Sequence, residues 1–374
     1  MEQTEVMILA ARRTPVGRPC GQFAALPVEQ LGAGALRAAA DPALTARLPI
    51  DKVVLGNTVG PGGNVARLSL LEAGLPMDIP GLTIDCQCGS GLEAVHLAAR
   101  LVAEDAVALA GGAESVSTSP LLRRRPNGSP YVARARMSPA WMGDPDMAEA
   151  AEFVAGRYGI SRLRQDEWAC RSIERALEAA AAGRLTHGIA TVAGEGAVRD
   201  EWREKRLQVE RLAKYPSLTR AGATVTAANT APPADGAAAL LLGTEGAAAR
   251  AGLRPLARIC AYAAVGISPD EPGMGPVPAL RAACSLAGLR LSDLDRVEIN
   301  EAYAAQVLAC VQELDLDPER VNPEGGSIAL GHPFGATGAL LLVRLVHALR
   351  PGERGAVTLG VGGGLGVAMI VEGI

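Results

Sequence analysis

Two residues of this sequence stand where side-chain chemistry could begin. Cys88 lies in "CQCGSGLEAVHLAARL", between a strand-like run and a helical one. A thiol is a nucleophile only as its thiolate, and a helix N-terminus or an adjacent imidazole favours that form. Read blandly, Cys88 is a small core residue, the common fate of an unpaired cysteine. His332 lies in "GHPFGATG". Of the four histidines, His96 and His347 fall within helical patterns and His187 in a polar, glycine-flanked stretch, so His332 alone sits at a strand-to-helix turn. It suits a general base there, or equally a structural turn cap. A third stretch, "TLGVGGGLGVAMI", sets Gly362, Gly363 and Gly364 between two apolar runs with no reactive side chain. Bare backbone at that point offers amide donors or a tight connection.

Those residues need elements to position them. Strand-like runs are "VMILAA", "KVVLGN", "LTIDCQC", "AVALAGG", "AAALLLG", "RVEIN", "GGSIALG", "AVTLGVG" and "GVAMIVE". Helical runs such as "GLEAVHLAARLVA" and "GALLLVRLVHAL" alternate with them, which predicts an α/β protein. From residue 117 to 233 the chain turns richer in arginine, proline and charge. Helices "RQDEWACRSIERALEAAAAG" and "EWREKRLQVERLA" are predicted there, so the stretch reads as an inserted cap. A weak repeat also shows. "TIDCQ" leads to Cys88, a helix and "AVALAGG"; "SIALG" leads to His332, a helix and "AVTLGVGGG". A duplicated unit would bring the two turns together at a pseudo-twofold axis.

Composition narrows the class. The chain has 374 residues, 49% hydrophobic and 20% charged, with net charge -4, which describes a globular protein rather than a nucleic-acid binder. No apolar run is long enough to span a bilayer, so no membrane partner is expected. The N-terminal "MEQTEVMILAARRTPVG" reads as a first strand, not a signal peptide. Seven irregularly spaced cysteines fit reduced thiols in a cytoplasmic setting. Cys86 and Cys88 form a C-x-C pair with no second pair, so no metal is expected.

At this point an ordered series of motifs resembles the thiolase family almost end to end. The series runs "RTPVGRPCGQFA", "CGSGLEAV", "GGAESVS", "MGDPDMAEAAEFVAGRYGISRLRQDEWACRS", "GATVTAANTAPPADGAAALLL", "GPVPAL", "EINEAYAAQ", "GGSIALGHPFGATGALL" and "GGGLGVAM". The resemblance implies a five-layer αβαβα fold of two similar halves with an inserted loop domain. The implied division is 1–116, an insertion at 117–233, a return at 234–255 and a second half at 256–374. It implies coenzyme A thioesters as substrates, no permanently bound cofactor, and a homodimer or homotetramer. Cys88 then falls on the acyl-accepting nucleophile and His332 on the histidine that activates it. Asn300 falls on the asparagine that holds a water for a first oxyanion hole. Gly362 falls on the glycine whose N–H, with that of Cys88, forms the second. Arg203, Lys205 and Arg206 lie near where the family holds the nucleotide end of the coenzyme; a second arginine cluster, Arg123, Arg124, Arg125, Arg134 and Arg136, is the other candidate. Ala231 falls where a serine usually contacts the pantetheine arm.

The departures from the family matter as much. Its second cysteine, which moves a proton at the α-carbon of the acetyl donor, falls on Gly360. Its phenylalanine after "NEA" is Tyr303, beside Ala302, and the methionine before "GxGP" is Pro272, with Met274 displaced inside that stretch. Met142 keeps the acyl-pocket position. Acid–base help of this kind is worth a factor of about 10² to 10⁴, so condensation or thiolysis should be slowed while acyl-enzyme formation loses nothing. Three readings stay open. The first is C–C bond formation or cleavage with a substitute proton carrier such as water or Tyr303. The second is acyl transfer to an amine, hydroxyl or water, or a decarboxylative condensation. The third is a silent partner subunit.

Overall fold

The computed structural model describes residues 5–102, 106–124, 128, 130–192, 199–201 and 207–374. Its strands are β1 (Val6–Arg13), β2 (Lys52–Gly56), β3 (Gly81–Ile84), β4 (Ala108–Glu114), β5 (Leu122–Arg124), β6 (Pro130–Val132), β7 (Gly236–Gly243), β8 (Ala257–Gly266), β9 (Arg296–Ile299), β10 (Arg354–Val361) and β11 (Leu365–Gly373). The helices are α1 (Val28–Thr45), α2 (Val65–Glu72), α3 (Ser90–Leu101), α4 (Met147–Arg157), α5 (Arg162–Ala181), α6 (Val209–Leu212), α7 (Glu245–Ala251), α8 (Pro276–Ala287), α9 (Ala304–Leu314), α10 (Ser327–Leu330) and α11 (Phe334–Ala348). β5 and β6 pair only with each other, and the remaining strands form one sheet in the order β3-β2-β4-β7-β1-β8-β11-β10-β9.

The two halves of that sheet share one wiring. β2 runs parallel to β4, β4 antiparallel to β7, and β7 antiparallel to β1. β9, β10, β11 and β8 repeat the pattern in the second half. The halves meet through three residue pairs, Val6 with Ile259, Met7 with Arg258 and Ile8 with Ala257.

Both faces of the sheet are buried, which is why its strands read as continuous apolar runs rather than alternating ones. Successive residues go to opposite sides. Val54, Leu240, Val357 and Met369 join one core with Leu92 and Val95 of α3 and Leu341 and Leu345 of α11. Their neighbours Val53 and Leu241 pack instead beneath α1 and α2, and Ala356 and Ile370 beneath α8 and α9. The result is five layers: outer helices, the first half-sheet, α3 with α11, the second half-sheet, and outer helices again.

The central helices approach closely because their contact is made by glycine. A β-carbon on Gly338 would lie 2.7 Å from Leu92 Cβ and 2.8 Å from Leu92 N, and one on Gly91 would lie 2.9 Å from the Gly335 carbonyl oxygen. This contact places the starts of α3 and α11 side by side.

The chain between β4 and β7 packs mostly on the second half, α4 and α5 against α9 and α5 against α10. Buried Glu301 fastens it there. Its carboxylate accepts from Trp168 Nε1 at 3.0 Å and Ser172 Oγ at 2.7 Å of α5, and from Ile328 N of α10 at 3.1 Å.

Three expectations need correction. "SIALG" is not a strand: Ser327–Leu330 is a helical turn, its Leu330 N donating to Gly326 O. A buried four-residue apolar run has no period to separate the two forms. On the edge away from β10, β9 has only a single parallel bridge, Val297 to Val321. β8 was missed because alanines and half-exposed positions break its alternation. Of "EWREKRLQVERLA", only Val209–Leu212 is helix among the described residues.

Gly338→Ala is expected to cost about 1–3 kcal/mol, the usual penalty for overpacking. Denaturant titration checks this; an unchanged midpoint would mean that the helices do not depend on the contact.

Candidate active site

The two reactive side chains enter the site by the same device. Each follows a residue in the left-handed backbone region, Gln87 at φ 45° before Cys88 and Gly331 at φ 101° before His332. Gln87 is not glycine, so its conformation is held by its surroundings. Asp85 Oδ1 accepts from Gln87 N at 2.8 Å. Ser90 Oγ donates to Gln87 O at 2.6 Å and accepts from Cys86 N at 2.8 Å. On the other side, His332 N donates to Pro232 O at 2.8 Å.

These turns bring Cys88 Sγ to 3.3 Å from His332 Nε2. Asn300 Nδ2 lies 3.4 Å from the same nitrogen, and Ser327 Oγ donates to Asn300 Oδ1 at 2.7 Å, fixing the amide's orientation. His332 Nδ1 is 2.7 Å from Thr337 Oγ1. The amides of Gly362 and of Cys88 itself donate toward the sulfur.

Burial dominates the electrostatics. It pushes the Cys88 thiol up to about 12, with the Gly362 and Cys88 amides opposing and Glu114 adding to the rise. It pulls His332 down to about 4. The resting pair is therefore a neutral thiol and a neutral imidazole. Desolvation thus opposes the thiolate that a helix terminus and an imidazole favour. An imidazole whose unprotonated nitrogen faces an S–H can still take the proton as the sulfur attacks. Glu114, itself raised to about 7 by burial, accepts from Gly335 N at 2.9 Å and Asn57 Nδ2 at 2.8 Å, which ties the start of α11 to the first half.

Gly360 is packed against backbone. A β-carbon there would lie 2.5 Å from the Pro272 carbonyl oxygen and 3.0 Å from Gly273 Cα. The space a side chain would need is filled by the turn Pro272–Met274, so the two departures at 360 and 272 are one feature.

The other expected residues fall in mixed positions. Tyr303 packs on Ala148, Ala151 and Val225, and burial raises its phenol above the ordinary range, with Asp146 and Cys88 adding to the rise. Ala231 is buried, its N donating to Ala302 O at 3.1 Å. Met142 is 40% exposed. Arg203, Lys205 and Arg206 lie outside the described residues, as does Arg125. Arg134 is tied up with Asp144 at 2.8 Å, and Arg123 and Arg124 are exposed. Sequence reasoning missed Met137, whose side chain lies against Gly362 and whose carbonyl lies against Gly363. It also missed Ser327 at the start of α10 and Thr337 in the first turn of α11, each five residues from His332. Among the described residues no cluster of His, Cys, Asp and Glu could hold a metal ion, and no helix is long and apolar enough to cross a membrane.

A five-layer fold with a thiol and an imidazole meeting at its central helices provides a site for nucleophilic chemistry at sulfur. The thiolase N-terminal domain pattern matches residues 6–246 and the thiolase C-terminal domain pattern residues 253–373. The chain is 41% identical to the acetyl-CoA acetyltransferase of Escherichia coli, over 98% of both chains. It is 40% identical to that of Chromobacterium violaceum, over 98% of this chain and 99% of the relative. The crystal structure of human mitochondrial 3-ketoacyl-CoA thiolase in complex with CoA matches at TM-score 0.90 and 34% identity, over 99% of this chain and 98% of that one. The chain belongs to the thiolase family.

The raised thiol predicts a pH profile. A thiol titrating at about 12 is protonated at neutral pH, so iodoacetamide alkylation of free Cys88 should climb steadily through the alkaline range without a plateau near neutrality. Mass spectrometry of the Cys88 peptide reads it; a plateau near pH 7 would show a resting thiolate instead.

Proposed function

We propose that this thiolase-family acyltransferase takes an acyl group from a coenzyme A thioester onto Cys88. It then passes the group to an acceptor that needs no α-proton abstracted by a second thiol. The observation that carries this is the 3.3 Å approach of His332 Nε2 to Cys88 Sγ with the Gly362 amide directed at the sulfur, beside a Gly360 packed against backbone. His332, neutral above about pH 4, receives the thiol proton as the sulfur attacks the thioester carbon. The Gly362 and Cys88 amides sit to stabilise the oxyanion, worth about 3 kcal/mol per donor. Asn300, beside His332 and held by Ser327, is placed to serve the second addition. His332 then returns its proton to the departing coenzyme A thiol.

The acceptor half is where this chain diverges. Glycine has no group to take a carbon-bound proton, and the raised Tyr303 phenol stays protonated near neutral pH, so it is not a base. These points favour an amine, hydroxyl or water, or a donor whose carbanion arises by decarboxylation, over condensation of two ordinary acyl thioesters. The intact Cys88, His332, Asn300 and Gly362 set disfavours a silent subunit. Met142, Ala302, Tyr303, Pro272 and Ala231 are the acyl- and pantetheine-side residues in this reading. Arg203, Lys205 and Arg206 hold the nucleotide end. The chain acts as a cytoplasmic homodimer or homotetramer, with residues 117–233 as its loop domain.

Incubation with acetyl-CoA and longer acyl-CoAs, followed by intact-mass measurement, should give a one-acyl adduct that Cys88→Ala abolishes. No adduct with any thioester would sink the proposal. Gly360→Cys alone should cost about 1–3 kcal/mol by overpacking and yield no C–C condensation. Adding Pro272→Met, which frees the turn, should recover part of that stability. A single variant as stable as the parent would show that the site has room for the missing thiol.

A further inference from the structure

Beside the turn that carries His332, lined by Gly331 and Pro333, lies a small cavity of about 20 Å³. Its walls include Arg13, Asp200, Ser327, Thr337 and Arg344. Arg13 is 1% exposed and pairs with Asp200 at 2.7 Å, yet its Nε has no hydrogen-bond partner among the described residues. Arg344 Nε is likewise buried and unpartnered, although its Nη2 donates to Glu324 O at 3.1 Å and Gly325 O at 2.7 Å. Two buried donors left unmet beside an apolar void would each cost about 1–3 kcal/mol. A cavity needs only about 10–15 Å³ to hold a water with polar partners.

The hydrogen bonds around His332 determine which donor Thr337 contributes. Ser327 donates to Asn300 Oδ1, so the Asn300 group facing His332 Nε2 is the NH₂. An NH₂ only donates, so Nε2 carries the lone pair and the ring proton sits on Nδ1. Nδ1–H then donates to Thr337 Oγ1 across 2.7 Å. The Thr337 hydroxyl proton must point elsewhere. Among the described residues the Thr337 hydroxyl has no hydrogen bond besides the one to His332. What remains is the cavity that Thr337 lines.

We propose that this cavity binds one ordered water, which accepts from Thr337 Oγ–H and a buried arginine Nε–H. By doing so it holds His332 in the Nδ1–H tautomer that leaves Nε2 free for the Cys88 proton. The water's own hydrogens go to Asp200, whose carboxylate is the cavity's acidic group. Thr337 is a positioning residue in this scheme: it touches His332 and no reacting atom. Were the water missing, Thr337 would turn its hydroxyl toward Nδ1 and oppose the Asn300 NH₂, weakening the preference for the tautomer that accepts from the sulfur. The functional consequence rests on His332 acting as base; the water and the tautomer do not.

Two measurements on the full-length protein test this. A high-resolution crystal structure of bromide-soaked crystals should show one spherical peak within hydrogen-bonding distance of Thr337 Oγ1, with no bromine anomalous signal. Long-range ¹H–¹⁵N spectra of ¹⁵N-histidine-labelled protein should report His332 as the Nδ1–H tautomer, its signals assigned by their loss in His332→Asn. Thr337→Val should move that signature toward Nε2–H and slow Cys88 acylation at least roughly tenfold, and Thr337→Ser should restore both. An empty cavity, a bromide peak, or an Nε2–H tautomer in the parent protein overturns the proposal, as does a Thr337→Val signature unchanged from the parent. Failure of Cys88 to acylate, with water and tautomer as stated, would sink the acyl-enzyme reading and leave this one standing.

Discussion

The approach of α3 to α11 is the constraint on which the rest depends. Neither Cys88 nor His332 is brought to the site by its own local sequence; each is carried on the turn that precedes one of the two central helices. Those helices can lie close enough only where side chains are absent, and the contact between Gly91, Gly338, Gly335 and Leu92 supplies that absence. Interhelical distance in a packed core is set by side-chain bulk, and interiors have few voids to absorb a change. The 3.3 Å separation of sulfur and imidazole is thus a consequence of helix packing, transmitted through two short turns. The duplicated sheet wiring gives each helix an equivalent seat, and the pseudo-symmetry of the halves becomes an asymmetry of function at the point where they meet.

The same burial that fixes the geometry sets the charge state. A thiol raised to about 12 and an imidazole lowered to about 4 cannot exchange their proton at rest, because the ion pair would sit in a desolvated core. In the proposed reaction the proton moves when a thioester carbonyl arrives, since the negative charge then passes from sulfur to an oxygen that backbone amides can face. Amide donors fixed by β10 and the α3 turn cost no reorganisation at that moment. A neutral resting thiol has a further consequence: near neutral pH it reacts slowly with electrophiles from solvent.

Much of this was legible in sequence, and the illegible parts share a cause. Apolar runs buried on both faces marked most of the strands, and the motif "CGSG" with "GHPFG" marked the two turns. The repeat pointed correctly to their convergence. It failed at "SIALG", because a strand in one half is matched by a helical turn in the other, and a four-residue apolar run looks the same in either form. Ser327 then lies on a helix, where it can reach Asn300. Thr337 and Met137 were invisible for a related reason. Nothing in "FGATG" or "RARMSP" distinguishes a side chain that contacts the site from one that does not; only the packing of α11 and the path of the inserted segment decide it. Glu301 looked like an ordinary motif acid, yet it fastens α5 to α10 from four directions. Its partners Trp168, Ser172, Asn322 and Ile328 are scattered through the chain.

The loss at position 360 has a physical logic of its own. Deleting a side chain from a packed wall normally leaves a cavity whose cost grows with its volume. Here no such cavity is available, because the Pro272 carbonyl and Gly273 stand where the side chain would begin. Proline fixes one backbone angle of that turn and so removes freedom it would otherwise have to move aside. Glycine at 360 and proline at 272 therefore stabilise each other. Cys88 and His332 come from the turns before α3 and α11, whereas position 360 belongs to β10 and faces the turn before α8; the Gly362 amide follows directly on β10. Because sulfur and imidazole stand on other elements, position 360 can differ without moving either of them. In the proposed reading, that separation lets the sulfur and imidazole stay paired at 3.3 Å beside a position 360 closed by backbone.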